Sequence, residues 1–333
     1  IPTALTTACD DEINPLSQDG LFPFNTSTFQ SIILSSQTGM IVNYYDVSGV
    51  VLPSPLPNPF TTATQTITVE VINPINTICK VTLSIPFVVK STPRINTTGT
   101  ELVCSNNPNF VKTIDAALED ITTINNFTYQ WYLDGNILTG ETNYSLTVNI
   151  EGNYTVVVTN AQNCSKTRTI TVTASNIATI ENVIITDLSN NNSIIVNVSG
   201  SGDYEYSIDG ENYQSSNTFY NVESGIYTIY VIDKNGCGIA QEDISLLGIP
   251  NYFTPNGDGY NDYWNIKGVS ATYNAKTTIH IFDRYGKLLK QISPLSTGWD
   301  GTYNGKAVSS SDYWYIINLE DGRTFRGNFS LKR

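Results

Sequence analysis

Apolar and polar residues alternate with a period of two through much of this chain. The alternation is clear in TQTITVEVIN, from Thr64 to Asn73, and again in TIHIF, which ends at Phe282. Alternation over several residues is typical of a strand with one buried face. Clusters of turn residues such as LDGN and IDGE separate these runs. The pattern therefore predicts an all-β protein.

Two hairpins are predicted near the end of the chain. TTIHIFDRYGKLLKQI indicates two strands joined by a tight turn at Asp283 to Gly286. DYWYIINLEDGRTFRGNFSLKR indicates a second pair, closed by Glu320, Asp321 and Gly322. Short turns rich in Asp and Gly join antiparallel strands. We expect a small antiparallel β-sandwich here, with its last strand and the basic Lys332 and Arg333 presented to a partner.

An internal repeat predicts tandem modules. GNYTVVVTNAQNC (Gly152 to Cys164) and GIYTIYVIDKNGC (Gly225 to Cys237) carry Gly, Tyr and Cys at the same offsets. Upstream, YQWYLDGN and YEYSIDGE place Trp131 and Tyr206 at equivalent positions, where each would fill the core between two sheets. The repeat favours two Ig-like β-sandwich modules, residues 96–175 and 176–247.

The residues before the repeat predict a further sandwich, residues 1–95. This segment contains the Thr64 to Asn73 strand and PSPLPNP (Pro53 to Pro59). The latter must be a loop because proline cannot donate to a strand ladder. A rigid surface loop is the favoured interpretation, and a polyproline ligand for a partner is the alternative. Residues 248–333 complete a division into four modules.

Five cysteines are spaced by module instead of clustering. The chain lacks a CxxC pair, which argues against a zinc site and favours disulfides in an oxidising compartment. The positions predict a Cys9–Cys79 bond in the first module and a Cys104–Cys164 bond in the second. Cys237 is then an unpaired thiol, or it bonds to another chain.

Composition and charge narrow the function classes. Of 333 residues 40% are hydrophobic and 14% are charged, and the 20 Tyr favour strands. No apolar run is long enough for a membrane helix. The chain begins at Ile1, so we expect any signal peptide to be removed or to lie upstream. The last 86 residues carry 10 Lys and Arg against 7 Asp and Glu (net +3), whereas the preceding 247 carry 7 against 23 (net −16). This balance argues against nucleic acid as a partner and suggests a separate partner for the tail.

Catalysis is not indicated. The single histidine, His280, falls in the TIHIF strand, where a structural role is expected, and no cysteine has a histidine neighbour in sequence. Paired carboxylates for a hydrolase remain an alternative by count, but most Asp and Glu stand in turns. We therefore predict a protein that is not an enzyme and that needs no cofactor.

FTPNGDGYNDYW, from Phe253 to Trp264, has two interpretations. In register with calcium loops, Asn256, Asp258 and Asp262 fall at ligand positions, but Thr254 and Asn265 occupy the first and twelfth positions. Weak calcium binding is one interpretation. The other is an Asx turn with glycines that lets the chain turn into its first strand.

The tail resembles a known family. IPNYFTPNGDGYNDYWNIKG, IFDRYGKLLKQIS, GWDGTYNGKAV, DYWYIINLEDGR and FSLKR follow one another as in the type B C-terminal sorting domain of the type nine secretion system of Bacteroidota, also called the gliding-motility-associated C-terminal domain. The resemblance covers about a quarter of the chain. The stretch NLEDGRTFRGNFS is shorter than in many members, which shortens a hairpin. More weakly, the middle modules resemble repeats of SprB-like flavobacterial adhesins.

This resemblance implies export across the outer membrane through the SprA translocon, with a PorP/SprF-like barrel and possibly PorV as partners. It implies a recognition role for residues of the tail: Phe253, Asn256, Asp258, Asp262, Arg284, Tyr285, Trp299, Asp300, Lys332 and Arg333. Of these, we expect Phe253 and Trp299 to lie in the core. The leading hypothesis is an extracellular, gliding-related or adhesin-like surface protein. The alternative is a carbohydrate-binding surface protein, which would show a row of exposed rings on the first three modules.

Overall fold

The structure is a computed structural model that describes residues 1–189 and 191–333. It divides into two compact units, Ile1–Ala174 and Ser175–Arg333, which are described separately. Strands dominate both, so the all-β prediction is confirmed. In the described residues the helical elements are α1 and three short 3-10 turns: Phe29–Leu34 (α1), Thr3–Leu5, Pro15–Ser17 and Ile121–Asn126.

The first part of the N-terminal unit has a five-stranded sheet, ordered β1-β7-β6-β3-β4, and a two-stranded sheet, β2-β5. Aromatic rings fill the space between them, with Phe87 contacting three other phenylalanines. The strand predicted at Thr64 to Asn73 is β6, and the Pro-rich segment is the loop between β4 and β5. The strands are Thr7–Cys9 (β1), Phe22–Phe24 (β2), Ile41–Tyr45 (β3), Val51–Leu52 (β4), Phe60–Thr62 (β5), Gln65–Asn73 (β6) and Asn76–Lys90 (β7).

The second part of this unit pairs a five-stranded sheet, β11-β10-β13-β14-β8, with a two-stranded sheet, β12-β9. Trp131 is fully buried in their common core, and its Nε1 donates to the Asn143 carbonyl at 2.9 Å. Its predicted packing role is confirmed. The strands are Thr98–Cys104 (β8), Lys112–Asp115 (β9), Phe127–Leu133 (β10), Asn136–Ile137 (β11), Ser145–Val148 (β12), Gly152–Asn160 (β13) and Ser165–Ser175 (β14).

The C-terminal unit begins with two three-stranded sheets, β15-β16-β18 and β17-β19-β20. The sequence repeat is visible in its turns. Cys164 N–H donates to the Asn160 side chain at 3.0 Å, and Cys237 N–H donates to the equivalent Asp233 at 3.1 Å. The strands are Thr179–Thr186 (β15), Ser193–Ser199 (β16), Tyr204–Ser207 (β17), Thr218–Tyr220 (β18), Gly225–Asp233 (β19) and Ile239–Leu246 (β20).

The tail forms a five-stranded sheet, β21-β27-β26-β22-β23, and a two-stranded sheet, β24-β25. Both predicted hairpins are present, as β22–β23 and β26–β27. The short β21 pairs with β27 in parallel, so this sheet is not wholly antiparallel. The strands are Tyr252–Phe253 (β21), Thr278–Phe282 (β22), Leu288–Ile292 (β23), Thr302–Tyr303 (β24), Lys306–Ala307 (β25), Ser311–Asn318 (β26) and Thr324–Leu331 (β27).

The predicted disulfide pairing is wrong. Cys9 bonds to Cys164, across a sequence separation of 155 residues, and neither forms its predicted bond to Cys79 or Cys104. β1, which carries Cys9, pairs in parallel with the last residues of β7, and this places it at the end where the β13–β14 turn carries Cys164. Cys79 is an exposed thiol. Cys104 and Cys237 are each disulfide-bonded, so the prediction of an unpaired Cys237 is also wrong.

Candidate recognition site in the C-terminal domain

The segment Phe253 to Trp264, here called the glycine loop, leaves the sheet at β21 and returns to the core at Trp264. Backbone hydrogen bonds close its base, with Thr254 N–H donating to the Asn261 carbonyl at 2.7 Å. Gly257 and Gly259 have φ of 80° and 90°, which side-chain-bearing residues rarely adopt. The sequence thus specifies a tight loop of backbone N–H groups that converge on one side chain.

That side chain is Asp262. Its Oδ1 accepts from the N–H of Gly257 at 2.6 Å and of Asn256 at 3.0 Å, and its Oδ2 accepts from Gly259 N–H at 2.8 Å. These N–H donors stabilise the charged carboxylate, with the largest contribution from Gly257. They therefore hold the pKa of the Asp262 carboxyl below its usual range. Asp262 therefore organises the loop.

Asp258 and Asn256 form a second set of contacts in the loop. Asp258 accepts from Tyr260 N–H and from the Asn256 amide, both at 2.8 Å, and Asp258 N–H donates to Asn256 Oδ1 at 3.2 Å. This is the Asx-turn interpretation of the sequence, in which short polar side chains bond the backbone two residues on.

The same contacts bear on calcium. Calcium takes six to eight oxygen ligands, whereas the loop offers two carboxylates and one amide whose oxygens already accept hydrogen bonds from the loop itself. In the part of the chain that the structure describes, no group of three or more His, Cys, Asp or Glu side chains is placed to hold a metal ion. These contacts favour the Asx-turn interpretation of Asn256, Asp258 and Asp262, and weak calcium binding there stays a prediction.

Phe253 and Trp299 lie in the core of the domain, as expected. Each is about 1% exposed, and their ring centroids are 5.6 Å apart. Trp299 and Trp264 exchange both backbone hydrogen bonds at 2.9 Å, and Trp299 Nε1 donates to the Thr302 carbonyl at 2.8 Å. Gly298 permits this approach, since a Cβ there would lie 2.6 Å from the Trp264 carbonyl oxygen.

Asp300, Lys332 and Arg333 lie around this core at the same end of the sheet. Asp300 Oδ1 accepts from the Thr302 N–H and hydroxyl, which closes the GWDG turn. Arg333 donates to the carbonyls of Gly301 at 3.0 Å and Val308 at 3.1 Å. The Lys332 ammonium lies 4.7 Å above the Tyr252 ring. Both terminal basic residues thus contact the domain itself.

The end of the last strand, β27, which we expected to be presented to a partner, is paired on both sides within the sheet. β27 pairs along its whole length with β26, and its end pairs with β21. Lys332 N–H donates to the Phe253 carbonyl at 3.1 Å. The terminal backbone is therefore already bonded within the sheet.

Arg284 and Tyr285 form the tip of the β22–β23 hairpin. Asp283 Oδ1 accepts from Tyr285 N–H and Lys287 N–H, both at 2.9 Å, and this fixes the turn. Tyr285 is 86% exposed, and Arg284 Nη2 donates to the Ser311 hydroxyl at 3.0 Å. This tip lies at the same end of the sheet as Phe253, because Ser311 pairs with Leu331 and Leu331 pairs with Phe253.

Sequence reasoning missed two exposed rings in the glycine loop, Tyr260 (78% exposed) and Tyr263 (53%). The sequence did contain a signal for their exposure, because both tyrosines follow turn residues in a stretch where apolar and polar residues do not alternate. Alternation indicates a strand with one buried face, and without it the sequence predicts no buried face for these rings. Together with Tyr252, which precedes the loop and is 47% exposed, they give this part of the chain three exposed tyrosine rings.

Contacts also join the tail to the preceding residues of its unit. Arg323 Nη1 donates to Asp187 Oδ1 at 2.8 Å, and the Asp187 side chain is only 8% exposed. The Tyr273 hydroxyl donates to the Asp243 carbonyl at 2.6 Å. These bonds make the tail continuous with the module before it.

His280 lies in β22 on the face of the tail sheet opposite to the buried Ile279 and Ile281, and its ring centroid is 6.5 Å from that of Phe282. None of the helices in residues 1–189 and 191–333 is long and apolar enough to cross a membrane.

Comparison with known families supports the interpretation of the tail. Residues 247–330 match the CHU_C type IX secretion signal domain. No curated protein sequence matches the chain.

The solved structures that match the chain have low sequence identity to it. Sidekick-1 immunoglobulin domains 1–5 match at 12% identity over 89% of this chain and 74% of theirs, with a TM-score of 0.32. An I-band fragment of titin matches at 10% identity over 72% and 96%, with a TM-score of 0.30. Chicken CNTN1 FN1–FN3 domains match at 14% identity over 62% and 90%, with a TM-score of 0.27.

The C-terminal segment thus has the sequence of a type IX secretion signal domain, folded as a sheet of its own. This match confirms the resemblance to a type B C-terminal sorting domain. It indicates export of the protein to the cell surface or its secretion.

Proposed function

We propose that this chain is a surface or secreted protein of a Bacteroidota bacterium, in which residues 248–333 act as the export address. The observation that carries the proposal is the family match over residues 247–330. Three modules, at residues 1–95, 96–175 and 176–247, are the exported cargo. Their mechanism is docking, with no catalytic step.

The address is recognised in the folded state by the SprA translocon together with a PorP/SprF-like barrel, with PorV as a further candidate. Two surfaces support this proposal. One is the hairpin tip with Arg284 and Tyr285, and the other is the glycine loop with its exposed Tyr260 and Tyr263. Phe253 and Trp299 act by holding the glycine loop and the GWDG turn in place.

An adhesin-like or gliding-related role is the favoured role for the cargo. The carbohydrate alternative predicts a row of exposed rings on the first three modules. In the described part of residues 1–247, Tyr220 is the one large aromatic side chain that is strongly exposed, so that row is missing there. We therefore favour protein or surface contacts by sheet faces over stacking on sugar rings.

A reporter fusion tests the export proposal. The last 86 residues are placed behind a signal peptide and a fluorescent protein in a gliding Bacteroidota host, with and without the SprF-like partner. We expect surface or medium fluorescence that depends on the partner. Retention of the reporter in the periplasm in both strains would show that the tail is not a sufficient address.

Calcium independence is a second part of the proposal, because the loop oxygens are engaged by its own N–H groups. The melting temperature of the protein should be the same in calcium and in a chelator. A rise with calcium that disappears in Asp262→Asn would restore the calcium interpretation.

A further inference from the structure

The outer face of the tail sheet carries apolar side chains in solvent. Across the sheet, Phe282 of β22 lies directly opposite Trp314 of β26. One step along, Ile316 lies between His280 and Arg326. Trp314 is 42% exposed. A contiguous apolar patch on a solvent face is typical of an interaction site.

These residues line a groove of about 450 Å³, here called the Trp314 groove. Phe282, Trp314 and Ile316 contribute the apolar surface, and Arg284 and Arg326 lie at its margins. Gly327 also lines it, and a Cβ there would lie 2.4 Å from the Tyr315 hydroxyl. The groove is therefore built from both tail hairpins.

Its charge is unbalanced. The Arg326 side chain forms no hydrogen bond or ion pair within residues 1–189 and 191–333, and the Arg284 side chain bonds only the neutral Ser311 hydroxyl there. One carboxylate among the described residues, Asp283, lines the groove, and its Oδ1 is held by the turn N–H groups of Tyr285 and Lys287. Two guanidinium groups thus lack a carboxylate partner beside an apolar surface.

We propose that the Trp314 groove binds an acidic peptide segment of a protein partner. An apolar side chain of the segment packs on Trp314 and Ile316, and its carboxylates pair with Arg326 and Arg284. Guanidinium groups bind carboxylates in a fixed planar geometry, and Trp and Arg are the residues that contribute most at interfaces. This inference rests on the proposed function, because the partner is met by the domain during export.

A peptide fits this groove better than an anionic glycan does. Sugar hydroxyls need several polar partners. The polar side chains of the described lining are those of Asp283, Arg284, Tyr315 and Arg326, and Asp283 is already held by the hairpin turn. Ile316 and Phe282 instead offer surface that suits an aliphatic or aromatic side chain.

Binding is measured on the full-length protein with a fluorescein-labelled decapeptide of alternating Asp and Glu that contains one Phe. The comparison peptide has Lys in place of each acidic residue. We expect the acidic peptide to bind in a salt-sensitive way, and to bind about 10-fold more weakly to Arg326→Glu and to Trp314→Ala. Lys306→Glu is the matched charge reversal at a lysine of β25 that does not line the groove, and it should bind within about 2-fold of the original protein.

Thermal unfolding accompanies each variant, since a misfolded domain would also lose binding. The proposal is overturned if folded Arg326→Glu binds the acidic peptide as well as Lys306→Glu does, or if the Lys peptide binds equally. It is also overturned if a polyuronate binds in an Arg326-dependent manner and the acidic peptide does not.

The same variants in the reporter fusion separate this inference from the proposed function. Loss of export in Arg326→Glu but not in Lys306→Glu supports both. Normal export in both variants overturns a role for the groove in export and leaves the tail as an address. If the unaltered tail is not exported, the proposed function fails. The peptide-binding measurement then tests by itself whether the Trp314 groove binds an acidic segment.

Discussion

The N-terminal unit and the tail stabilise β structure by different means. Residues 1–174 are closed by the Cys9–Cys164 bond, and their charges belong to the strongly acidic part of the chain. Residues 248–333 contain no cysteine and are net basic. In the tail, Trp264 stacks on Phe329 with centroids 3.8 Å apart, and Trp299 packs edge-on against Tyr313.

A disulfide and an aromatic core differ in the conditions under which they form. A covalent bond forms only where the compartment is oxidising, so a cargo unit that relies on one is complete only after it leaves the cytoplasm. A core of aromatic rings forms wherever the chain can fold. An address built this way is independent of redox conditions, which suits a signal that is read during export.

The largest effect is expected from the disulfide. Replacing Cys9 and Cys164 by serine should destabilise the N-terminal unit by about 3–5 kcal/mol, because a closed loop of this length strongly restricts the unfolded chain. The tail should be unaffected. Hydrogen exchange in denaturant, followed peptide by peptide, measures both regions in one sample.

Cys79→Ser is the control for that pair, since the Cys79 thiol is exposed and unbonded. It should unfold like the original protein. Equal midpoints for the double variant and for this control would show that the bond adds no stability, and the contrast with the tail would then disappear.

A substitution in the aromatic core should destabilise the tail and leave the N-terminal unit unaffected. Trp264→Ala removes a fully buried ring and its Nε1 hydrogen bond to the Pro250 carbonyl. The expected loss is about 3–5 kcal/mol, confined to the C-terminal unit. Trp314→Ala, on the solvent face, should cost about 0.5 kcal/mol or less. Similar losses in these two variants, measured by urea unfolding, would contradict the aromatic core as the source of stability.

A smaller effect is expected from Asp262. Its pKa is lowered in the folded protein, so its contribution to stability is present above the unfolded value of about 3.9 and is lost as pH falls through the folded value. Asp262→Asn should lower the melting temperature at neutral pH, and the gap to the original protein should close in acid. Asp258, which accepts one backbone N–H, supplies the milder control Asp258→Asn. A gap that stays constant with pH would reject the carboxylate as the organiser of the loop.

The smallest effect concerns the ion pair between Arg323 and Asp187. Arg323→Ala should cost about 0.5–1 kcal/mol, because Arg323 is partly exposed and solvent screens the pair. Arg326→Ala removes a neighbouring arginine that has no partner among the described residues, and it should leave stability unchanged. Chemical denaturation at low and high salt measures the free energy of unfolding of both variants. If that free energy changes equally in Arg323→Ala and Arg326→Ala, the Arg323–Asp187 pair does not contribute to stability.

Local features of the fold could be predicted from the sequence, and long-range pairing could not. The β22–β23 and β26–β27 turns follow from Asp and Gly at fixed offsets, and the buried Trp131 follows from its place before a turn. Disulfide connectivity cannot be read from cysteine spacing. It depends here on the pairing of β1 with the end of β7, where Thr7 lies opposite Val88, 88 − 7 = 81 positions further along the chain.

The candidate site divides in the same manner. The Asx contacts of the glycine loop are local and could be anticipated from its Asp, Asn and Gly residues. The Trp314 groove brings together side chains of β22, β26 and β27, so its assembly depends on sheet register. Arg284 can be identified as a candidate because it lies in a predicted turn. Arg326 and Trp314 lie in alternating strands, where the sequence pattern does not distinguish a functional residue from any other solvent-facing one.

The Cys9–Cys164 bond also sets the route that mechanical tension takes through the protein. A pull applied at Ile1 reaches Cys9 after eight residues and then crosses the S–S bond to Cys164. Residues 10 to 163, which include the first sandwich and most of the second, are enclosed by the bond and lie outside that line. If unfolded and not enclosed, they would add roughly 500 Å of extended chain. With the bond intact, a stretched molecule can lengthen only through the residues that follow Cys164, and the enclosed segment adds nothing to its length.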